Sequence, residues 1–504
     1  MMAKLLTLIT LVALVLMTEG FRIGSKKLDF HKLINRRDPF PEPKNPPPRT
    51  SNVVTEWVTQ RLDNFDPTNE VTWQQRYMMN GEHFLPDGCI FLFLGGEWNI
   101  TEYRLENSFM EEMSQEFSCY MFYLEHRFFG LSRPTEDVSD ESLRFLTIDQ
   151  ALADTAHFIE FIKSSSVTPG AQNSPVIVIG GQYSASLAAW SRQVYPHLVA
   201  GAWASSAPVL AIYDQFQFKE LSGAVYRHVG GNECYDNIER GFAQVEEMVF
   251  AGRHAEVSEM FHLCNVFDDE LDVQLFFSFI SEAFSLLAQF DQIANVQGVC
   301  DLLDDDDHES DAHAIAAVII YLIEFIGEEQ EDECIDIDYQ VAIEAERQTS
   351  WNSDMALLGF RQYTYLLCTQ LGWYHSSNSR FQPFGSSFPA EFRHIACGDI
   401  FDYYTPEQMN DNIARFNTIR GGLNPGASNV YYTHGQLDPT RSVGVQVTHF
   451  EAAPSLVILG ASQGNDLGPS SEDDTQALTD ARELVKYALY RWMREAQRDT
   501  IVPI

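Results

Sequence analysis

Basic side chains are scarce in this chain. Lysine and arginine number 33 against 72 aspartates and glutamates over 504 residues, giving a formal net charge of −39. That balance argues against a nucleic-acid partner and against adsorption to anionic membranes. Its plain physical reading is a solvated acidic surface. Closely spaced cysteines are missing as well. None of the eight falls in a Cys-x-x-Cys pair, so the spacing of a zinc site is absent. No metal and no other cofactor is expected. Long apolar runs are lacking too. Leu5 to Met17 is short for a membrane span, and Ala314 to Gly327 is short and contains Glu324. The second reads as a buried helix, and no membrane span is expected.

What is present begins with a secretory signal. Lys4 supplies a positive end, Leu5 to Met17 an apolar core and Thr18-Glu-Gly20 a small-residue cleavage site, so residues 1–20 read as a signal peptide. The protein is therefore expected to be secreted or, alternatively, lysosomal. Residues 21–52 are basic and then proline-rich, an extended leader. Its Arg36-Arg37 pair is either a processing site or part of an ordinary terminus. The even set Cys89, Cys119, Cys234, Cys264, Cys300, Cys334, Cys368 and Cys397 favours disulfides in an exported chain. Asn99-Ile-Thr101 is a glycosylation sequon.

The length exceeds one ordinary core, so two domains are expected. Thr72 to Met79, Cys89 to Leu94, Cys119 to Leu124 and Val176 to Ile179 read as strands, with helical spacing over Gln150 to Ile162. Alternating strands and helices mean an α/β domain with a mostly parallel sheet. From Phe216 to Ala396 helical periodicity takes over. Two acidic runs, Asp301 to Asp311 and Glu328 to Glu333, interrupt it; neither has the alternating carboxylates and glycine of a calcium loop. Strands return at Ser428 to Tyr432 and Ser455 to Leu459. A last helix follows, with Ser471 as its expected cap and Glu472, Asp473 and Asp474 in its first turn. The expected architecture is an α/β-hydrolase fold over residues 53–215 and 397–504, split by a helical lid over 216–396.

The stretch Val176 to Trp190 organises the rest. A buried strand, two glycines and a helical pattern make a nucleophile elbow. Small residues must flank the apex at two positions on either side, which places Gln182 at the apex between Gly180 and Ser184. A serine hydrolase carries Ser there. Gln offers an amide and no nucleophilic hydroxyl.

Several segments resemble one family: Gln75-Arg76-Tyr77, Gly95-Gly96-Glu97, Glu125 to Gly130, Gln150 to Asp154, Ala204 to Val209 and Gly435 to Pro439. It is the group of secreted and lysosomal serine exopeptidases that includes lysosomal Pro-X carboxypeptidase, dipeptidyl peptidase II and thymus-specific serine protease. The resemblance spans residues 55–495. It implies an α/β-hydrolase domain with a helical, disulfide-bonded lid and cleavage near proline at peptide ends. It assigns the acid of a Ser-His-Asp triad to Asp438, the nucleophile's place to Gln182 and the base's place to Gln463. The backbone of Gly96, Glu97 and Tyr183 would supply oxyanion donors. It also implies the pairs Cys234–Cys300, Cys264–Cys334 and Cys368–Cys397. Cys89 and Cys119 have no counterpart, and either a bridge or two buried thiols is open.

Substitute catalytic groups are disfavoured. Ser184 lies past the apex, already entering the helix, with Ser186 beyond it. His434 and His449 precede the last strand, and His126 reads as a structural histidine. The leading expectation is a pseudoenzyme that binds a peptide or a protein, with a homodimer as one form of association. The alternative is an active exopeptidase cleaving near proline with non-standard residues. A third is a structural or storage protein, supported by acidity alone.

Overall fold

The computed structural model describes residues 27–28, 52–86, 88–164, 166–290, 296–326 and 334–501. The expected signal peptide, the Arg36-Arg37 pair and the acidic run Glu328 to Glu333 lie outside them. At the centre is an eight-stranded sheet: β1 Val54–Arg61, β2 Thr72–Asn80, β3 Ile90–Leu94, β4 Tyr120–Leu124, β5 Val176–Gly181, β6 Gly201–Ser205, β7 Val430–Gly435 and β8 Ser455–Ile458. Their spatial order is β8-β7-β6-β5-β3-β4-β2-β1. β2 runs antiparallel to both its neighbours, and every other pair is parallel.

The central strands read as unbroken apolar runs because helices cover both faces. Ile90, Leu92 and Leu94 of β3 join Val176 and Val178 of β5 in one core. Phe91, Phe93, Ile177 and Ile179 alternate into the opposite core. The first face is covered by α2 (Ile148–Ile162) and α3 (Tyr183–Val194), and the second by α1 (Phe109–Phe117) and the C-terminal helix Gln476–Ile501. Each such side chain buried contributes roughly 1.5–3 kcal/mol.

Sequence reading missed two strands of this sheet. β1 is an edge strand with only Val58 and Gln60 buried, too few to show alternation. β6 is Gly-Ala-Trp-Ala-Ser, with no β-branched residue. Its Gly201 is required, because a Cβ there would lie 2.6 Å from the Trp492 ring. The last helix is also corrected. It starts at Gln476, with Thr475 Oγ1 accepting the Leu478 N–H at 3.2 Å. Ser471 does not cap it: it lies in the preceding turn, where its Oγ accepts the Asp473 N–H at 3.2 Å and its own N–H donates to Asp474 Oδ2 at 2.9 Å.

The helical stretch opens with α4 (Phe216–Phe250), broken at Gly231, and continues with α5 (Glu270–Gln289), α6 (Val296–Leu303) and α7 (Asp311–Ile326). These enclose their own core around Phe242, Phe276, Phe284, Ile315 and Ile319. Later residues of the stretch, including Tyr339, Trp351, Trp373 and Phe392, pack instead into the core of the sheet. The C-terminal helix takes the label α8. Three disulfides, Cys234–Cys300, Cys264–Cys334 and Cys368–Cys397, staple the helical region, and a fourth joins Cys89 to Cys119. Gly230 leaves room for the first, since its Cβ would sit 2.2 Å from Cys300 Sγ. The architecture is an α/β-hydrolase fold with a helical, disulfide-bonded lid. Among the described residues one helix, α5, is long and apolar enough by length and composition to cross a membrane. Its apolar window is 72% buried, with Phe276, Ile280 and Phe284 in the helical core.

Candidate functional site

The strand-to-helix turn after β5 has the geometry of an elbow. Gln182 sits between β5 and α3 with φ 55° and ψ −128°, a conformation costing an L-residue ~1–3 kcal/mol unless its surroundings enforce it. Here they do. The Gln182 N–H donates to Ser205 O at 3.0 Å, and its carbonyl accepts from the N–H groups of Ala185 (2.9 Å) and Ser186 (3.2 Å). Gly180 makes the turn possible, because a Cβ there would lie 2.2 Å from Ser184 O. The strained turn is kept although no hydroxyl stands at its apex.

Asp438 follows β7 and is fully buried. Its Oδ1 accepts the Thr440 N–H at 2.8 Å. Its Oδ2 has no hydrogen-bond partner among the described residues. Gln463 is also buried. Its Nε2 donates to Thr440 Oγ1 at 3.2 Å, and its N–H donates to Gln289 O at 3.2 Å. Its Oε1, like Asp438 Oδ2, is buried and unpartnered. The loop carrying Gln463 is held in place through Asp466, which accepts from Ser205 Oγ at 2.6 Å and Thr433 Oγ1 at 2.5 Å. A histidine at 463 would offer a ring N–H to an acid in a triad. The glutamine amide is turned to Thr440 instead.

Gln182, Gln463 and Thr440 line one cavity of about 240 Å³, together with Glu97 and Tyr183 on the side of the sheet. Phe218, Tyr363, Trp373, His375 and Arg393 form its wall on the helical side. Tyr183 is the first residue of α3, so its N–H belongs to the donors that a helix start leaves without an internal partner. Gly96 is packed against Trp98, where a Cβ would come within 2.3 Å of the ring. Glu97 is buried beside the cavity. Asn99 is exposed in the following loop, with its Oδ1 accepting from Arg76 Nη2 at 2.5 Å.

The other candidate groups are elsewhere engaged or remote. Ser184 Oγ donates to Gly181 O and accepts the Gly181 N–H, both at 3.0 Å. Ser186 Oγ donates to Pro208 O at 2.7 Å. Both serines are fully buried and neither lines the cavity. His434 is buried within β7, with Nδ1 3.9 Å from Asp438 Oδ2 and Gly444 making room for its ring. It too is absent from the cavity wall. His449 is exposed. His126 contacts Arg127 O through Nδ1 at 2.6 Å and the Tyr183 hydroxyl through Nε2 at 3.1 Å. Burial pushes its pKa down to about 4, so the ring is neutral and structural.

One cluster was not legible in the sequence. Lys219 is fully buried, 3.0 Å from Glu282 and 2.9 Å from Ser285 Oγ. Burial pushes its pKa down to about 8, against the pull of Glu282. His375 stacks on Phe218 with ring centroids 3.4 Å apart and lies 3.0 Å from Glu282. Burial opposes the charge on Glu282, but Lys219 and His375 together hold its carboxyl far below the usual range. These residues are spread over three segments with no shared spacing, so only the fold unites them.

A family model described as serine carboxypeptidase S28 matches residues 60–485. Thymus-specific serine protease of Mus musculus is 26% identical over 456 residues, covering 88% of this chain and 88% of its own. Lysosomal Pro-X carboxypeptidase of Homo sapiens is 26% identical over 479 residues, covering 90% of this chain and 91% of its own. The match extends across both the sheet and the helical region, from β1 into α8, and on that ground the chain belongs to the serine carboxypeptidase S28 family.

Proposed function

We propose that this chain is a catalytically inactive member of its family, exported to an oxidising compartment, that uses the cavity beneath its lid to bind a peptide. The observation that carries this reading is the pairing of Gln182 at the strained apex with an unpartnered Asp438 Oδ2. An acyl-transfer site needs a hydroxyl or thiol to attack and a base to take its proton. Glutamine does neither, at 182 or at 463. The acid keeps its burial and its Thr440 contact, but the imidazole near it, that of His434 at 3.9 Å, does not line the cavity. Neither Ser184 nor Ser186 replaces the nucleophile, since both are committed to backbone groups outside the cavity. The cavity itself has aromatic walls and a few polar groups, the usual composition of a small-ligand site. Four disulfides accord with an extracellular or lysosomal lumen.

The test is fluorophosphonate labelling of purified wild-type protein beside a titration with proline-containing peptides. No label with saturable peptide binding is expected. Covalent labelling would overturn inactivity, and the absence of saturable binding would overturn the binding role.

A further inference from the structure

Asn99-Ile-Thr101 takes no part in the cavity. It is the sole Asn-x-Ser/Thr sequence of the chain, and Asn99 is exposed. The Asn99 amide is held by one arm, its Oδ1 accepting from Arg76 Nη2 at 2.5 Å. The next residue is fixed on both sides. The Ile100 N–H donates to Glu125 Oε1 at 3.3 Å, and the Ile100 carbonyl accepts from Arg76 Nη2 at 3.1 Å. Arg76 and Glu125 are themselves a buried ion pair at 2.5 Å. Gly130 makes room for the loop, because a Cβ there would come within 2.9 Å of Asn99 Oδ1. With Oδ1 bound to the buried Arg76, Nδ2 is left on the solvent side, without a hydrogen-bond partner among the described residues. Thr101 precedes the turn Glu102–Leu105 and does not use its hydroxyl to cap it. A large apolar side chain lies close by. Trp57 of β1 is directly opposite Arg76 of β2, so the two side chains share one face of the sheet. Trp57 is 43% exposed.

We propose that Asn99 carries an N-linked glycan whose first N-acetylglucosamine rests on Trp57 and covers the Arg76–Glu125 pair. The inference rests on the export given above, since the modifying machinery acts on exported chains. The donor is a lipid-linked oligosaccharide. Its anomeric C–O bond to a polyprenyl diphosphate breaks, and a C–N bond to Asn99 Nδ2 forms. Nδ2 gives up one proton, and the diphosphate departs with the electron pair of the broken bond. A glycan is bulky and needs a surface site, which the exposed Asn99 provides. Arg76 fixes the direction of its root, because the amide cannot turn over without giving up the Oδ1 bond. The C–H face of a pyranose is apolar and matches the face of an indole, while the sugar hydroxyls stay in water. Covering the exposed part of Trp57 also removes apolar surface from water.

The experiment uses the full chain expressed in cultured eukaryotic cells. Mass spectrometry of the secreted protein should find the Asn99 peptide glycosylated, and a peptide N-glycosidase should convert Asn99 to aspartate. A secreted chain with a bare Asn99 overturns the glycan and leaves export intact. A chain retained with residues 1–20 uncleaved overturns export and the glycan together. Contact with Trp57 is read by hydroxyl-radical oxidation of its indole. Oxidation should be low in the wild type and stay low after an endoglycosidase has trimmed the glycan to its first sugar. It should rise severalfold once the whole glycan is removed. Equal oxidation of the three forms overturns the contact. Thr101→Ala abolishes the sequon and keeps the bond between Asn99 and Arg76. It should lower the urea midpoint of the wild type and leave that of a Trp57→Ala variant unchanged. An equal drop in both backgrounds places the glycan's effect away from Trp57 and also overturns the contact.

Discussion

Two buried polar regions of this molecule are built to opposite standards. Under the sheet, Arg127 is fully buried and every N–H of its guanidinium is used. Nε and Nη2 reach Asp154 at 2.6 and 2.7 Å, and the remaining donors go to Leu62 O, Phe145 O and Arg61 O. Beside it, Glu125 accepts from Arg76, Ile100, Leu131 and Ser132. At the elbow, by contrast, Asp438 Oδ2, Gln463 Oε1 and both ring nitrogens of His434 are buried with no hydrogen-bond partner among the described residues. An unsatisfied buried polar group costs ~1–3 kcal/mol, so native interiors rarely keep several together. In the first region every buried charge is matched by hydrogen bonds; the second leaves several buried polar atoms without them.

The comparison breaks most directly at Arg127. Arg127→Met leaves Asp154 charged and buried without its partner, and should cost ~3–5 kcal/mol, read as a lower urea midpoint or loss of soluble protein. A change under 1 kcal/mol would mean the complete region is not structural.

His126, between these two charged residues, sharpens the same contrast through pH. Its folded pKa of about 4 lies below the ordinary 6.5, chiefly because burial disfavours the imidazolium. Between those values the unfolded chain binds the proton and the folded one does not. Stability should therefore fall as pH drops from 6.5 towards 4, by up to ~3 kcal/mol at ~1.4 kcal/mol per pKa unit. His126→Gln should flatten that part of the stability–pH curve. An unchanged slope would place its origin elsewhere.

The smallest effect is expected at Asp438, with the opposite sign. Asp438→Asn keeps the Oδ1 contact to Thr440 and removes a buried charge whose Oδ2 accepts no hydrogen bond among the described residues, so it should raise stability by ~1 kcal/mol. A loss comparable to that of Arg127→Met would show that Asp438 is held by interactions equal to those under the sheet.

The sequence made the sheet legible wherever both faces are buried, as in β3 and β5, and hid it where chemistry is atypical. The edge strand β1 exposes most of its side chains, and β6 relies on small residues fitted under Trp492. The apex at Gln182 could be read locally, because a tight turn imposes small flanking residues within five positions. Gln463 and Asp438 needed the family resemblance, and their hydrogen bonds needed coordinates. The role of Thr440 as the partner of both was invisible, since it depends on what the fold brings near rather than on spacing along the chain.

The central claim is that this fold lacks only its nucleophile and base. The direct measurement is peptidase activity of the wild type, Gln182→Ser, Gln463→His and the double variant on proline-containing peptides, with fluorophosphonate labelling alongside. Removing either group from a serine protease costs about 10⁶ in kcat, and removing the second costs little more. Each single variant should therefore stay inert. The double variant, with a hydroxyl at 182 and an imidazole at 463, should label and turn over. Hydrolysis by the wild type that persists unchanged in Gln182→Ala would contradict the account.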